Sequence, residues 1–150
     1  MIKVMFVCHG NICRSPMGEY LLKEFVRRRG VSDRFQIDST AVSRDEIGND
    51  VYPPTKRELL RHDIPCPPRG ARQITSKEIE SFDHILCMDA SNLRLLERIS
   101  PLGRGKAVLL GEYGLKGKEI EDPWYTGRFD HVYDEIASCC EAFLESCLSE

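Results

Sequence analysis

The chain has no apolar run approaching the roughly 20 residues that a membrane-crossing helix needs. It also has no large excess of charge of either sign, its net charge being −3. Neither a membrane-spanning segment nor bulk electrostatic attraction to nucleic acid or an anionic membrane is therefore expected. The longest basic run, Arg27-Arg28-Arg29, reads as a helix end whose cations complement the helix dipole. There is no C-x-x-C pair, and the seven cysteines are odd in number and irregularly spaced. A disulfide framework of the secreted type is thus excluded. The four histidines, His9, His62, His84 and His131, are scattered, so no zinc site, and no metal or other cofactor, is expected. Internal repeats, low-complexity tracts and interdomain linkers are absent.

What is present is ordinary globular material: 150 residues, 41% apolar and 30% charged. That length suits a single domain spanning 1–150, large enough to bury roughly two-thirds of its unfolded surface. The N-terminal run Met1 to Val7 leads straight into Cys8. Signal cleavage there would destroy the motif that follows, so a cytoplasmic protein is expected, with a monomer assumed.

Residues 2–7 form an apolar, β-branched run of strand length, and from Ser15 apolar residues recur at helical spacing up to Gly30. Ser15-Pro16 reads as the helix start, serine capping and proline at the first helical position. Further strands are expected at 35–42, 84–88 and 106–110, and helices at 55–62, 75–81 and 91–99. Thr75 and Glu78 fit a capping box. A long last helix is expected to bury Val132, Ile136, Cys139, Cys140, Phe143, Leu144 and Cys147. Strands alternating with helices imply an α/β domain with a four-stranded parallel sheet covered on both faces, Rossmann-like or flavodoxin-like. In such sheets ligands bind at the carboxyl ends of the strands.

Cys8-His9-Gly10-Asn11-Ile12-Cys13-Arg14 occupies such an end, between a strand and a helix. A loop there can aim successive backbone N–H groups at one point, next to the positive end of the helix dipole. Gly10 and Asn11 tolerate the positive φ angles that such a sharp curve often demands. Arg14 supplies a planar fork for two phosphoryl oxygens. The same field favours the thiolate form of Cys8, the nucleophile, with Ser15 near enough to donate a hydrogen bond to the sulfur.

The segment Val7 to Pro16 resembles the active-site loop of the low-molecular-weight protein tyrosine phosphatases, Val-Cys-x-Gly-Asn-x-Cys-Arg-Ser-Pro, with every fixed position present. The resemblance continues through Ile37-Asp38-Ser39, Ala71 to Ile74, Ile85 to Asp89 and Glu121-Asp122-Pro123. It implies a phosphotyrosine-containing protein or small aryl phosphate as substrate, a phosphocysteine intermediate on Cys8, Arg14 as clamp, and no metal. It also implies that Asp122, which alone would read as a turn starter, is the general acid and base. The expected substrate contacts are His9, Gly10, Asn11, Ile12, Cys13, Ser15, Trp124 and Tyr125. Trp124 and Tyr125 are either loop packing or an aromatic wall for a phenyl ring. In related enzymes Cys13 can form a reversible disulfide with the nucleophile; its other reading is an inert buried thiol. Asn11, Ser39 and Asp89 are candidates for support behind the loop, or simple caps and turns.

The chain departs from the family at three places: Trp124 stands where the family often has a tyrosine, Arg44-Asp45-Glu46 puts charge where some relatives carry a rim aromatic, and Arg69 stands near a histidine of mammalian relatives that braces the loop. An arsenate reductase would use the same loop but needs two further redox cysteines close together, which Cys87 in its expected strand does not provide. A non-catalytic binding or redox-sensing module would have lost the nucleophile, the arginine or the acid, and all three are here.

Overall fold

Seven residues, Ile2–Cys8, make the first strand, β1. In the computed structural model, which describes residues 1–149, β1 lies between β2 (Phe35–Ala41) and β3 (His84–Cys87), and β4 (Ala107–Leu109) flanks β3. The order is β2-β1-β3-β4 and every pairing is parallel. Cys8 is the last paired residue of β1, opposite Ala41, and Val7 is opposite Cys87. The chain leaves β1 towards one side of the sheet and β3 towards the other, so their carboxyl ends flank the switch in strand order. That is where parallel α/β sheets form clefts.

Alternation along β1 divides the interior in two. Val4, Phe6 and Cys8 face a core built with α1 (Arg14–Arg28), α2 (Pro53–Arg61) and α6 (Phe129–Leu148). Met5 and Val7 face a second core with α3 (Ser76–Ser81) and α4 (Ala90–Ile99). Both faces are thus covered, as a purely parallel sheet requires. Met17, Leu21 and Leu22 of α1 are wholly buried, each contributing roughly 1.5–3 kcal/mol of burial before entropy is counted. Cys139 and Cys140 of α6 are wholly buried core. Among the described residues, no helix is long and apolar enough to cross a membrane.

Element ends differ from expectation where local chemistry overrides periodicity. Helix α2 starts at Pro53 rather than Thr55, because its two prolines occupy first-turn positions whose N–H groups need no helical partner. Helix α1 starts at Arg14, not after Ser15, with Cys13 in the cap position and no side-chain cap. Ser15 is not the cap; its hydroxyl is engaged by Asn11 and the Cys8 sulfur. Arg27 and Arg28 bind Glu24 one turn back, as a helix end should. The capping box of Thr75 and Glu78 is present.

Helix α1 packs closely on β1 at Gly18. A Cβ there would lie 2.6 Å from Cδ1 of Phe6, whose rigid ring is wholly buried. Gly18→Ala is therefore expected to lose about 1–3 kcal/mol through overpacking, despite alanine's better helix propensity. A urea midpoint equal to or above that of the parent would contradict this packing.

Candidate active site

The loop from Cys8 to Arg14 is bound from outside through its carbonyls. Val42, Ser43 and Tyr52 donate backbone N–H bonds to the carbonyls of Cys8, His9 and Ile12 at 3.0, 3.1 and 2.9 Å. Fixing carbonyls outward leaves backbone N–H groups available on the concave side, which makes an anion nest. At its floor Cys8 is buried, and its Sγ receives the N–H groups of Asn11 at 3.3 Å and Ser15 at 3.4 Å. Ser15 Oγ lies 3.1 Å from the same sulfur.

The curve turns on Asn11, the one loop residue with positive φ, at 63°. Gly10, which could also have tolerated it, does not adopt that conformation. Its lack of a side chain serves close approach instead: a Cβ there would lie 3.1 Å from Cγ of Glu46. The Asn11 amide is fully occupied. Nδ2 donates to Ser15 Oγ at 2.8 Å and Ser39 Oγ at 3.0 Å. Oδ1 accepts from Arg69 Nη2 at 2.8 Å and the Arg72 backbone N–H at 3.3 Å. Arg69 also binds buried Glu19 and Ser39, and Ser39 donates to Glu19 at 2.6 Å. The position that lacks the relatives' histidine therefore carries its own brace, an arginine held by a buried carboxylate. Sequence reasoning missed Glu19, whose place on α1 looked like any helix surface residue.

Arg14 is only 3% exposed. Nη1 donates to Asp89 Oδ2 and to the Ile120 carbonyl, both at 2.8 Å, and Nη2 lies 3.6 Å from Asp122 Oδ2. Burial opposes its charge, but Cys8, Asp89 and Asp122 outweigh it and hold the guanidinium more firmly protonated than usual. Asp89 caps α4 through Asn92 while holding Arg14, so one carboxylate joins the end of β3 to the loop after β1.

Asp122 caps α5 (Pro123–Thr126), a one-turn helix not anticipated from the sequence. Its Oδ1 accepts the Trp124 N–H at 3.0 Å. Trp124 and Tyr125 are 49% and 83% exposed and line a cavity of about 210 Å³ with Cys8, His9, Gly10, Ile12, Cys13, Arg14, Asp45, Glu46 and Asp122. Asn11 and Ser15, expected as substrate contacts, do not line it: Ser15 meets the sulfur through its hydroxyl and backbone N–H, and Asn11 meets it through its backbone N–H while its amide braces the loop from behind. Arg44 of the charged rim does not line it either, whereas Asp45 pairs with His9 at 2.8 Å. Tyr52, passed over in the sequence, packs on Trp124.

All seven cysteines are free thiols. Burial, then the nearby Cys8 and Asp122, push the Cys13 thiol up to about 12, so it is protonated at neutral pH and does not compete as nucleophile. Cys87 is buried in β3, where burial raises it strongly, and it is no exposed redox thiol. Among the described residues, no group of three or more His, Cys, Asp or Glu could hold a metal ion.

A family model of low molecular weight phosphotyrosine protein phosphatases matches residues 3–150. The human low molecular weight phosphotyrosine protein phosphatase is 45% identical over 151 residues, covering 95% of this chain and 93% of that protein. The crystal structure of YfkJ from Bacillus subtilis is 33% identical with a TM-score of 0.93, over 99% of this chain and 96% of that one. Wzb of Vibrio vulnificus, solved in complex with benzylphosphonate, is 27% identical with a TM-score of 0.86, over 97% of this chain and 98% of that one. A loop that turns its N–H groups onto a cysteine, an arginine behind it and an Asp-Pro over it thus occur in a chain that belongs to the low molecular weight phosphotyrosine protein phosphatase family.

Proposed function

We propose that this chain hydrolyses phosphotyrosine and related aryl phosphate monoesters through a phosphocysteine on Cys8. The observation that carries the reading is the Cys8 sulfur at the floor of an inward-facing N–H nest, with Arg14 reaching within 3.6 Å of Asp122. The sulfur attacks phosphorus while the bond to the aryl oxygen breaks, and protonated Asp122 gives its proton to that oxygen. Water then attacks the phosphocysteine, its proton passes to the Asp122 carboxylate, and the sulfur leaves with the bonding pair. Arg14 and the nest hold the equatorial oxygens through both steps, where charge develops. Ser15 and Asn11 hold the sulfur from behind and steady it as a leaving group. No metal is needed, because the arginine and backbone dipoles supply the positive field. The proposed setting is the cytoplasm, with the chain acting as a monomer on a phosphotyrosine-containing protein or a small aryl phosphate.

Trp124 and Tyr125 give the cavity an aromatic side against which a phenyl ring packs. Benzylphosphonate, the ligand of Vibrio vulnificus Wzb, has a ring and a phosphonate of that kind.

Cys8→Ser is expected to abolish turnover of p-nitrophenyl phosphate. Acid-quenched parent enzyme should show a phosphoryl adduct on the Cys8 peptide by mass spectrometry. Turnover persisting in Cys8→Ser would end the mechanism. The rim adds a second expectation. Asp45 and Glu46 border the cavity, and among the described residues no lysine or arginine pairs with either. A basic side chain next to phosphotyrosine should gain roughly 1 kcal/mol from them, about fivefold in kcat/KM over a matched acidic peptide, fading at high salt. Equal turnover of both peptides at low salt would refute this.

A further inference from the structure

Tyr52 precedes α2 and belongs to neither the phosphate loop nor the acid loop, yet it touches both. Its backbone N–H donates to the Ile12 carbonyl at 2.9 Å, fixing it to the loop that carries Cys8. Its ring centroid lies 4.7 Å from that of Trp124, tilted by 49°, and 6.0 Å from that of Phe129 at 36°. Trp124 is the residue whose backbone N–H holds Oδ1 of Asp122. The path from nucleophile loop to acid therefore runs through one backbone hydrogen bond, one ring contact and one further backbone hydrogen bond.

Such a path is needed because the acid's own element cannot hold itself. Helix α5 has four residues, far below the length at which a helix is stable in water. The Trp124 side chain is half exposed, and among the described residues Tyr52 is the aromatic ring packed against it. On the other side Ile120 is tied to Arg14 at 2.8 Å and to the Met88 carbonyl at 2.9 Å, and Pro123 is buried. The Asp122 carboxylate itself meets Arg14 at 3.6 Å, longer than a direct hydrogen bond. To these backbone anchors the Tyr52 ring adds a side-chain contact between α5 and the segment bonded to the phosphate loop.

We infer that Tyr52 is a positioning residue for Asp122, setting the distance between the general acid and the phosphoryl group on Cys8. The inference rests on the proposed role of Asp122. Its consequence is selective, because proton donation matters in proportion to how poorly the leaving oxygen departs unprotonated. The backbone hydrogen bond to Ile12 survives any side-chain substitution at this position, so the phosphate loop keeps that support while the ring is removed.

The test compares kcat/KM for phenyl phosphate, a poor leaving group, and 2,4-dinitrophenyl phosphate, which departs without a proton. Tyr52→Ala is expected to lose about tenfold or more on phenyl phosphate and less than about threefold on the dinitrophenyl ester, in line with the sensitivity of proton transfer to misplacement. Tyr52→Phe should restore the parent ratio. Tyr52→Leu, which keeps apolar volume, serves if the alanine variant does not fold, and the dinitrophenyl ester itself reports an intact nucleophile. Asp122→Asn, measured alongside, should show a larger loss of the same selective kind, about 10²-fold or more. Equal losses on both esters, or none on either, in a Tyr52 variant beside a selective loss in Asp122→Asn would overturn the Tyr52 inference alone. No selective loss in Asp122→Asn would overturn the acid reading and the inference with it.

Discussion

The site depends on Asn11 staying in a left-handed conformation at the apex of the Cys8 loop. For a residue with a Cβ that conformation costs of order 1 kcal/mol or more, and the loop has no glycine at that point to relieve it. Four hydrogen bonds to the Asn11 amide, two donated and two accepted, outweigh the cost at about 1 kcal/mol each. One of them comes from Arg69, a charged donor, which strengthens it. Arg69 is fixed in turn by Glu19, and breaking a buried ion pair on one side costs roughly 3–5 kcal/mol. The curve that points N–H groups at the Cys8 sulfur is therefore secured from α1, β2 and the segment around residue 70 at once.

The sheet places the remaining groups. Cys8 ends β1, Asp89 follows β3, and the two strands are neighbours whose connections diverge. Arg14 spans this divide, reaching Asp89 and the Ile120 carbonyl while facing the cavity. With Nη1 held by two acceptors the guanidinium has few rotamers left to lose, which suits the clamping role proposed for it. Asp122 comes last in the chain and its carboxylate is held lightly, by the Trp124 N–H and by Arg14 at 3.6 Å, which suits the proton transfer proposed for it. The acidic rim touches the loop at its edge, Asp45 pairing with His9 and Glu46 lying against Gly10.

Much of this was legible from the order of residues. The parallel sheet followed from alternating strand and helix patterns, and the Cys8 loop from a strand, a loop residue tolerant of positive φ, and Arg-Ser-Pro opening a helix. The missing parts are tertiary. Glu19 and Arg69 meet across 50 positions of chain, and no local pattern distinguishes Glu19 from a solvated helix residue. Tyr52 preceded two prolines and read as loop. Ser15 fitted a cap so well that its actual service to the sulfur was assigned alongside a cap it does not make. Gly10 read as a conformational glycine, whereas Glu46, distant in sequence, needs its empty side.

The central proposal is that the loop presents the Cys8 sulfur as the nucleophile at the floor of an anion site. Alkylation of the intact enzyme by iodoacetamide at neutral pH, read residue by residue by mass spectrometry with and without inorganic phosphate, tests it directly. The account predicts that Cys8 is labelled well ahead of Cys13 and the five other cysteines, and that phosphate protects it saturably. Labelling of Cys8 no faster than that of the other thiols, or unaffected by phosphate, would contradict it.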